Sequence, residues 1–223
     1  MAKFTRIDIT KRIEQAGFLP LFNYPDAEIG KQIIKSCYDA GVRAFEFTNR
    51  SENSLQVFQQ LLEYTRNNAP EMALGIGSIV DGPTTALFIQ AGADFVVSPI
   101  LNAEMAKICN RRKILWIPGC GSLTEISSAE ELGAEVVKVF PAAQLGGASF
   151  IKAIKGPCPW TTIMATGGVQ INAEDLKKWF DAGVSCVGIG SNLFTKEIIE
   201  LKDFDLLSKN ISEVLSTIQT VKN

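Results

Sequence analysis

Short runs of almost continuous apolar residues alternate along this chain with longer segments in which apolar residues recur every third or fourth position. The runs read as strands buried on both faces, as in a parallel sheet covered by helices, and the periodic segments read as the covering helices. A short helix is expected over about Thr5–Gln15, followed by the strand Phe18-Leu19-Pro20-Leu21-Phe22. Pro25-Asp26 then opens a helix whose Ile29, Ile33, Ile34 and Cys37 share one face and which Gly41 closes. Strands follow at Ala44–Thr48, Leu74–Ser78, Phe95–Pro99, Ile114–Pro118, Glu135–Pro141, Thr162–Thr166 and Cys186–Gly190. Helices are expected from Ser51 to about Asn68, up to Ala91, from about Ala103, and over Ser122–Leu132, Phe150–Ile154 and Asn172–Ala182, with a helical region at the end.

The tripeptides Ala40-Gly41-Val42, Ala91-Gly92-Ala93 and Ala182-Gly183-Val184 repeat one helix-to-strand turn, which marks the units as equivalent. About eight βα units fit a (β/α)8 TIM barrel, in which each strand is followed by an outer helix. The expected architecture is thus α/β: a single domain spanning 1–223, with a short N-terminal helix ahead of the barrel. A doubly wound open sheet is the alternative that the same alternation allows. No linker, low-complexity segment or charge block points to a second domain.

Composition narrows the chemistry. A net charge of −2 gives no electrostatic basis for binding nucleic acid or an acidic membrane surface. No apolar run reaches the length of a membrane span or a signal-peptide core, so a soluble, cytoplasmic protein is expected. The five cysteines, Cys37, Cys109, Cys120, Cys158 and Cys186, are scattered and free of any Cys-x-x-Cys spacing, which predicts reduced thiols rather than disulfides or a zinc site. Histidine is absent. No Ser-His-Asp or Cys-His triad can form, and acid–base work falls to carboxylates, lysine, tyrosine, thiols or water.

The polar residues that interrupt the strands gather near the strands' C-terminal ends, where barrels carry their active sites. They are Glu46, Thr48, Ser78, Ser98, Lys138, Thr166 and Ser191, with Arg50 just beyond its strand. Alternation along a strand sends Glu46 to the face opposite Phe45 and Phe47, and Lys138 to the face opposite Val137 and Val139. If the phenylalanines and valines pack under the outer helices, the carboxylate and the amine share the lumen. Such a pair is either a buried structural ion pair or a nucleophilic lysine, held partly neutral by burial, beside a proton-carrying carboxylate. Arg50 offers a planar fork suited to a substrate carboxylate, unless it is simply a solvated arginine. Thr166-Gly167-Gly168-Val169 and Gly188-Ile189-Gly190-Ser191 close successive strands, and glycine loops at this end of a barrel commonly bind phosphate through backbone N–H groups, aided by a helix N-terminus.

Taken in order, Phe45-Glu46-Phe47-Thr48-Asn49-Arg50, Gly75-Ile76-Gly77-Ser78, Val97-Ser98-Pro99, Ile117-Pro118-Gly119, Lys138-Val139-Phe140-Pro141-Ala142 and the two glycine stretches resemble the motif set of the KDPG/KHG aldolases. These class I enzymes act on 2-keto-3-deoxy-6-phosphogluconate (KDPG) and 4-hydroxy-2-oxoglutarate (KHG). The similarity runs from about Ile13 to Phe194. It implies a (β/α)8 barrel, commonly a homotrimer, needing neither cofactor nor metal. Its substrates are small 2-keto-4-hydroxy acids, and its products are pyruvate and an aldehyde. By motif position it makes Lys138 the Schiff-base lysine and Glu46 the acid–base residue. Arg50 and Ser78 would hold the pyruvate moiety, and Gly167, Gly168, Gly190 and Ser191 the phosphate. Ser78 stands where the family usually has threonine. Ile100, Ala143, Ser122 and the first strand also depart from the usual pattern, which bears on the distal part of the substrate. Two other readings of the residues are a sugar-phosphate isomerase or epimerase, and a barrel that binds phosphometabolites without catalysis.

Overall fold

A computed structural model describes residues 2–222; Met1 and Asn223, the ends of the expected 1–223 span, lie outside the described residues. Nine parallel strand segments form one sheet: β1 (Phe18–Phe22), β2 (Ala44–Thr48), β3 (Ala73–Gly77), β4 (Phe95–Val97), β5 (Leu115–Ile117), β6 (Gly119–Cys120), β7 (Val137–Val139), β8 (Ile163–Thr166) and β9 (Cys186–Ile189). Their order is β5-β4-β3-β2-β1-β9-β8-β7-β6. The two outermost segments, β5 and β6, are separated only by Pro118, so the sheet is a TIM-barrel-like cylinder of eight strand positions. Pro118 has no N–H to give to a ladder, and its carbonyl instead accepts from Lys138 N at 2.8 Å. The fifth strand therefore pairs with β4 before the proline and with β7 after it.

The helices alternate with the strands: α1 (Arg6–Ala16), α2 (Ala27–Asp39), α3 (Ser54–Asn68), α4 (Gly82–Ala91), α5 (Ala103–Arg112), α6 (Leu123–Glu131), α7 (Ala148–Lys155), α8 (Ala173–Asp181), α9 (Lys196–Leu201) and α10 (Phe204–Lys222). Their starts are written locally. Thr5 and Asp8 form a capping box on α1, and Asp26, Asp81, Asn102, Ser122 and Asn172 cap α2, α4, α5, α6 and α8. The three Ala-Gly turns put Gly41, Gly92 and Gly183 at φ of 103°, 112° and 101°, a region that side chains disfavour. Several expected boundaries move: the strands expected at Glu135–Pro141 and Phe95–Pro99 shorten to Val137–Val139 and Phe95–Val97, the helix expected at Phe150–Ile154 extends to Ala148–Lys155, and α3 starts late. α3 begins at Ser54 because the amide and hydroxyl of Ser51 both bond to Ser54 Oγ, making a turn of Ser51–Asn53. The terminal helical region resolves into two helices, α9 and α10.

Two apolar layers follow from strand alternation. Phe45, Phe47, Val137 and Val139 lie in the layer between sheet and helices, with Phe58 and Phe88 in edge-to-face contact at 5.4 Å. The lumen holds a separate cluster of Leu19, Ala44, Ala73, Phe95, Leu115, Val136, Met164 and Cys186, joined from α1 by Ile9 and Ile13. The N-terminal helix thus plugs the lower end of the barrel. The upper end, where β2, β7, β8 and β9 finish, is left for polar groups. Among the described residues no helix is long and apolar enough to cross a membrane.

Candidate active site

Ala44 and Val136 face the lumen, so Glu46 and Lys138, each two residues further along, face it one layer higher. Both are buried, at 1% and 4% exposure. Neither carboxylate oxygen of Glu46 has a hydrogen-bond partner, and among the described residues no ion pair joins it to Lys138. The structural ion pair considered from the sequence is therefore not formed. Burial lowers the pKa of the Lys138 ammonium from the ordinary lysine value; the Glu46 charge opposes the shift and Arg50 adds to it. Burial likewise raises the pKa of the Glu46 carboxyl, against the pull of Lys138 and Arg50. The chamber thus favours a neutral amine beside a carboxyl group able to carry a proton, a pairing matched to nucleophilic and acid–base work.

Glycines make room for these groups. A Cβ at Gly77 would lie 1.7 Å from Glu46 Oε1, so the carboxyl occupies the space that a side chain on β3 would take. A Cβ at Gly188 would lie 2.3 Å from Thr166 Oγ1. That hydroxyl is buried and has no partner, making Thr166 another polar group turned toward the chamber. The sequence pattern placed Thr166 at a strand end without assigning it a task. The spacing of glycines two apart in β3 and at the end of β9 is the signal that neighbouring strands send large or polar side chains across them. The Phe140 ring walls the chamber, with its centroid 5.0 Å from Lys138 Nζ.

Arg50 lies two residues past the end of β2, and its Nε donates to Ser78 Oγ at 2.9 Å. Ser78 holds a left-handed backbone at φ 59°, rare for a residue with a side chain, where β3 turns out of the barrel. The structure thus brings Arg50 and Ser78 together at the rim. Ser98 does not join them: it is fully buried, and its hydroxyl accepts from Ile100 N at 3.1 Å, closing its own turn.

Gly167 and Gly168, with φ of 96° and 88°, carry the chain away from β8 beside Pro141–Ala143. Ala142 N and Ala143 N donate to the carbonyls of Thr166 and Gly167, which orients this loop. Across the mouth, Gly190 accepts from the amides of Leu193 and Phe194, forming a turn with Ser191 exposed on it. The amides of Gly168, Ser191 and Asn192 reach no protein acceptor among the described residues. At the start of α8, Asp175 N donates to Asn172 Oδ1, and Asp175 in turn accepts from Gln170 N.

Burial pushes the thiols of Cys109, Cys120 and Cys186 up to about 12, so none of these three is poised as a thiolate. No cluster of three or more His, Cys, Asp or Glu side chains suited to a metal occurs among the described residues.

Comparison with known proteins gives this geometry its family. The family described as KDPG and KHG aldolase matches residues 9–210. A 2-dehydro-3-deoxy-phosphogluconate aldolase of Pseudomonas aeruginosa is 31% identical over 214 residues, covering 96% of this chain and 93% of that protein. Its counterpart in Haemophilus influenzae is 28% identical over 218 residues, covering 97% and 99%. Among solved structures, a KDPG aldolase from Legionella pneumophila, with pyruvate captured at low pH as a covalent carbinolamine intermediate, superposes with a TM-score of 0.82 at 24% identity, over 91% of this chain and 96% of that one. The chain belongs to the KDPG and KHG aldolase family, and it is accordingly an aldolase, a carbon–carbon lyase acting on a small molecule.

Proposed function

We propose that the chain is a class I aldolase that cleaves KDPG to pyruvate and glyceraldehyde 3-phosphate, KHG to pyruvate and glyoxylate, or both, through a Schiff base on Lys138. The observation that carries this reading is the buried pair itself: an amine held below its ordinary pKa beside a carboxyl with both oxygens unpartnered, in one layer of the lumen. The uncharged amine adds to the C2 ketone, and loss of water gives an iminium. Glu46 takes the C4 hydroxyl proton as the C3–C4 bond breaks. The electrons of that bond pass to the iminium, the aldehyde leaves, and the enamine is protonated at carbon. Hydrolysis then frees pyruvate and the lysine. Arg50 and Ser78 hold the carboxylate, which fixes the ketone against the amine. The amides of the Gly167–Gly168 and Gly190–Ser191 loops receive the phosphate. The same reading treats 1–223 as one domain, assembled as a homotrimer in the cytoplasm and working without cofactor or metal, as the family resemblance implies.

Two measurements bear on it. Pyruvate release, followed with lactate dehydrogenase, should occur with KDPG or KHG. Gly168→Ala, whose new Cβ would lie 2.3 Å from that of Ala143, should raise KM for the phosphorylated substrate by about 10–100-fold, the worth of a hydrogen bond to a charged group. KHG, which has no phosphate, should be affected little. Equal losses on both substrates would remove the loops from phosphate binding. The acid limb of Schiff-base formation tests the pair. Glu46 holds the Lys138 pKa up, so Glu46→Gln should extend the neutral amine to lower pH and move the limb to the acidic side. A limb that stays in place would uncouple the two groups.

A further inference from the structure

Arg50 sits on a dipeptide, Asn49-Arg50, that belongs to neither β2 nor α3, yet a carboxylate clamp works only if its base is fixed. Its amide donates to Thr48 O at 3.0 Å, and Asn49 N donates to Gly77 O at 2.9 Å. A second strand grips the same turn from the other side. Asn23, just past the end of β1, donates through Nδ2 to Thr48 O at 2.6 Å and to Ser51 Oγ at 3.4 Å. One side-chain amide thus bridges the residues on both sides of Asn49-Arg50. Ser51 is itself fixed by Ser54 Oγ at 3.0 Å, so the far end of the bridge is not loose. Asn53 returns the link by donating to Pro25 O at 2.8 Å, joining the β1 and β2 loops a second time.

We infer that Asn23 is a positioning residue for the substrate carboxylate: it touches no reacting atom and acts by holding the turn from which Arg50 reaches the rim. The arrangement suits that task. Arg50 is exposed, and its contact with Ser78 fixes the guanidinium end while leaving the backbone end to the turn. A shift of the turn moves the fork relative to Lys138, and misplacement of binding groups by about 1 Å costs enzymes up to roughly 10²-fold. The inference rests on the proposed role of Arg50.

The test is steady-state kinetics on Asn23→Ala, Arg50→Ala and the double variant, with Asn23→Ser as a second replacement that keeps a small polar side chain in case the alanine variant does not fold. Asn23→Ala should raise KM for the 2-keto acid roughly tenfold, the scale of one lost hydrogen bond, and leave kcat within about twofold. In the Arg50→Ala background it should add nothing further, which a general loosening of the fold would not reproduce. Asn23→Ser should show the same KM-only pattern. A fall in kcat at unchanged KM, or the same KM penalty with and without Arg50, would overturn the inference. The two proposals separate cleanly: if Arg50→Ala leaves KM unchanged, the carboxylate role of Arg50 fails, whereas a normal KM in Asn23→Ala beside a raised one in Arg50→Ala removes Asn23 alone.

Discussion

Lys138→Met should abolish pyruvate release from every 2-keto-4-hydroxy acid that the enzyme cleaves. Methionine fills nearly the same unbranched volume among the lumen side chains, so the barrel should fold, but it has no nitrogen to form the iminium that draws electrons from the breaking bond. Without that sink, Arg50, Ser78 and the loops can bind substrate but the site cannot cleave it, and activity should drop to the uncatalysed background. Stability should move the other way as pH falls from the alkaline side. Burial depresses the folded-state pKa of Lys138, so the wild-type protein loses stability as pH falls from the ordinary lysine pKa of the unfolded chain down to the lower folded value, and the penalty of holding an ammonium in the lumen is constant below it. The methionine variant has no such charge. Thermal melts as a function of pH should show its Tm gaining on the wild type as pH falls from the ordinary lysine pKa to the lower folded value, and holding that gain below it. A variant that keeps measurable turnover would mean that another group does the chemistry.

Glu46→Gln should lower kcat by about 10²–10⁴, the range for removal of a general acid–base group. Glutamine keeps the shape of the side chain over Gly77 and loses only the ability to take and return the C4 hydroxyl proton. Binding of pyruvate through Arg50 and Ser78 should be nearly unaffected, so the loss should appear in turnover rather than in KM. Single-turnover cleavage compared with Schiff-base formation would locate it: bond cleavage should slow far more than attachment of pyruvate. Wild-type turnover in Glu46→Gln would transfer the proton to another carrier, with the orphaned hydroxyl of Thr166 as a neighbouring group in the same chamber.

What could be read from the chain alone was whatever repeats over short distances. Strand alternation was enough to send Glu46 and Lys138 inward and Phe45, Phe47, Val137 and Val139 outward, because a period of two leaves no other choice in a barrel strand. The Ala-Gly turns likewise announced equivalent units. The break at Pro118 was harder to see, since the proline falls inside an apolar run and only the pairing of both flanks shows that one strand serves two neighbours. The plug formed by Ile9 and Ile13 looked like an ordinary amphipathic helix, because the face it covers belongs to strands far along the chain. Contacts across the chain were hidden for the same reason. Gly77 makes room for a carboxylate 31 positions earlier, and Asn23 reaches a carbonyl 25 positions later. Family resemblance supplied roles for the motif residues, but Asn23 and Thr166 stood outside the roles it assigned. The family match supports an aldolase over the isomerase and the non-catalytic barrel that the residues alone left open.

The covalent role of Lys138 is the claim on which the rest depends, and borohydride trapping addresses it directly. The protein is incubated with pyruvate and borohydride, digested, and its peptides are analysed by mass. A reduced pyruvate adduct is expected on the peptide carrying Lys138, absent without pyruvate and absent in Lys138→Met. An unmodified Lys138 beside a labelled lysine elsewhere, or no adduct in a protein that still releases pyruvate, would contradict it.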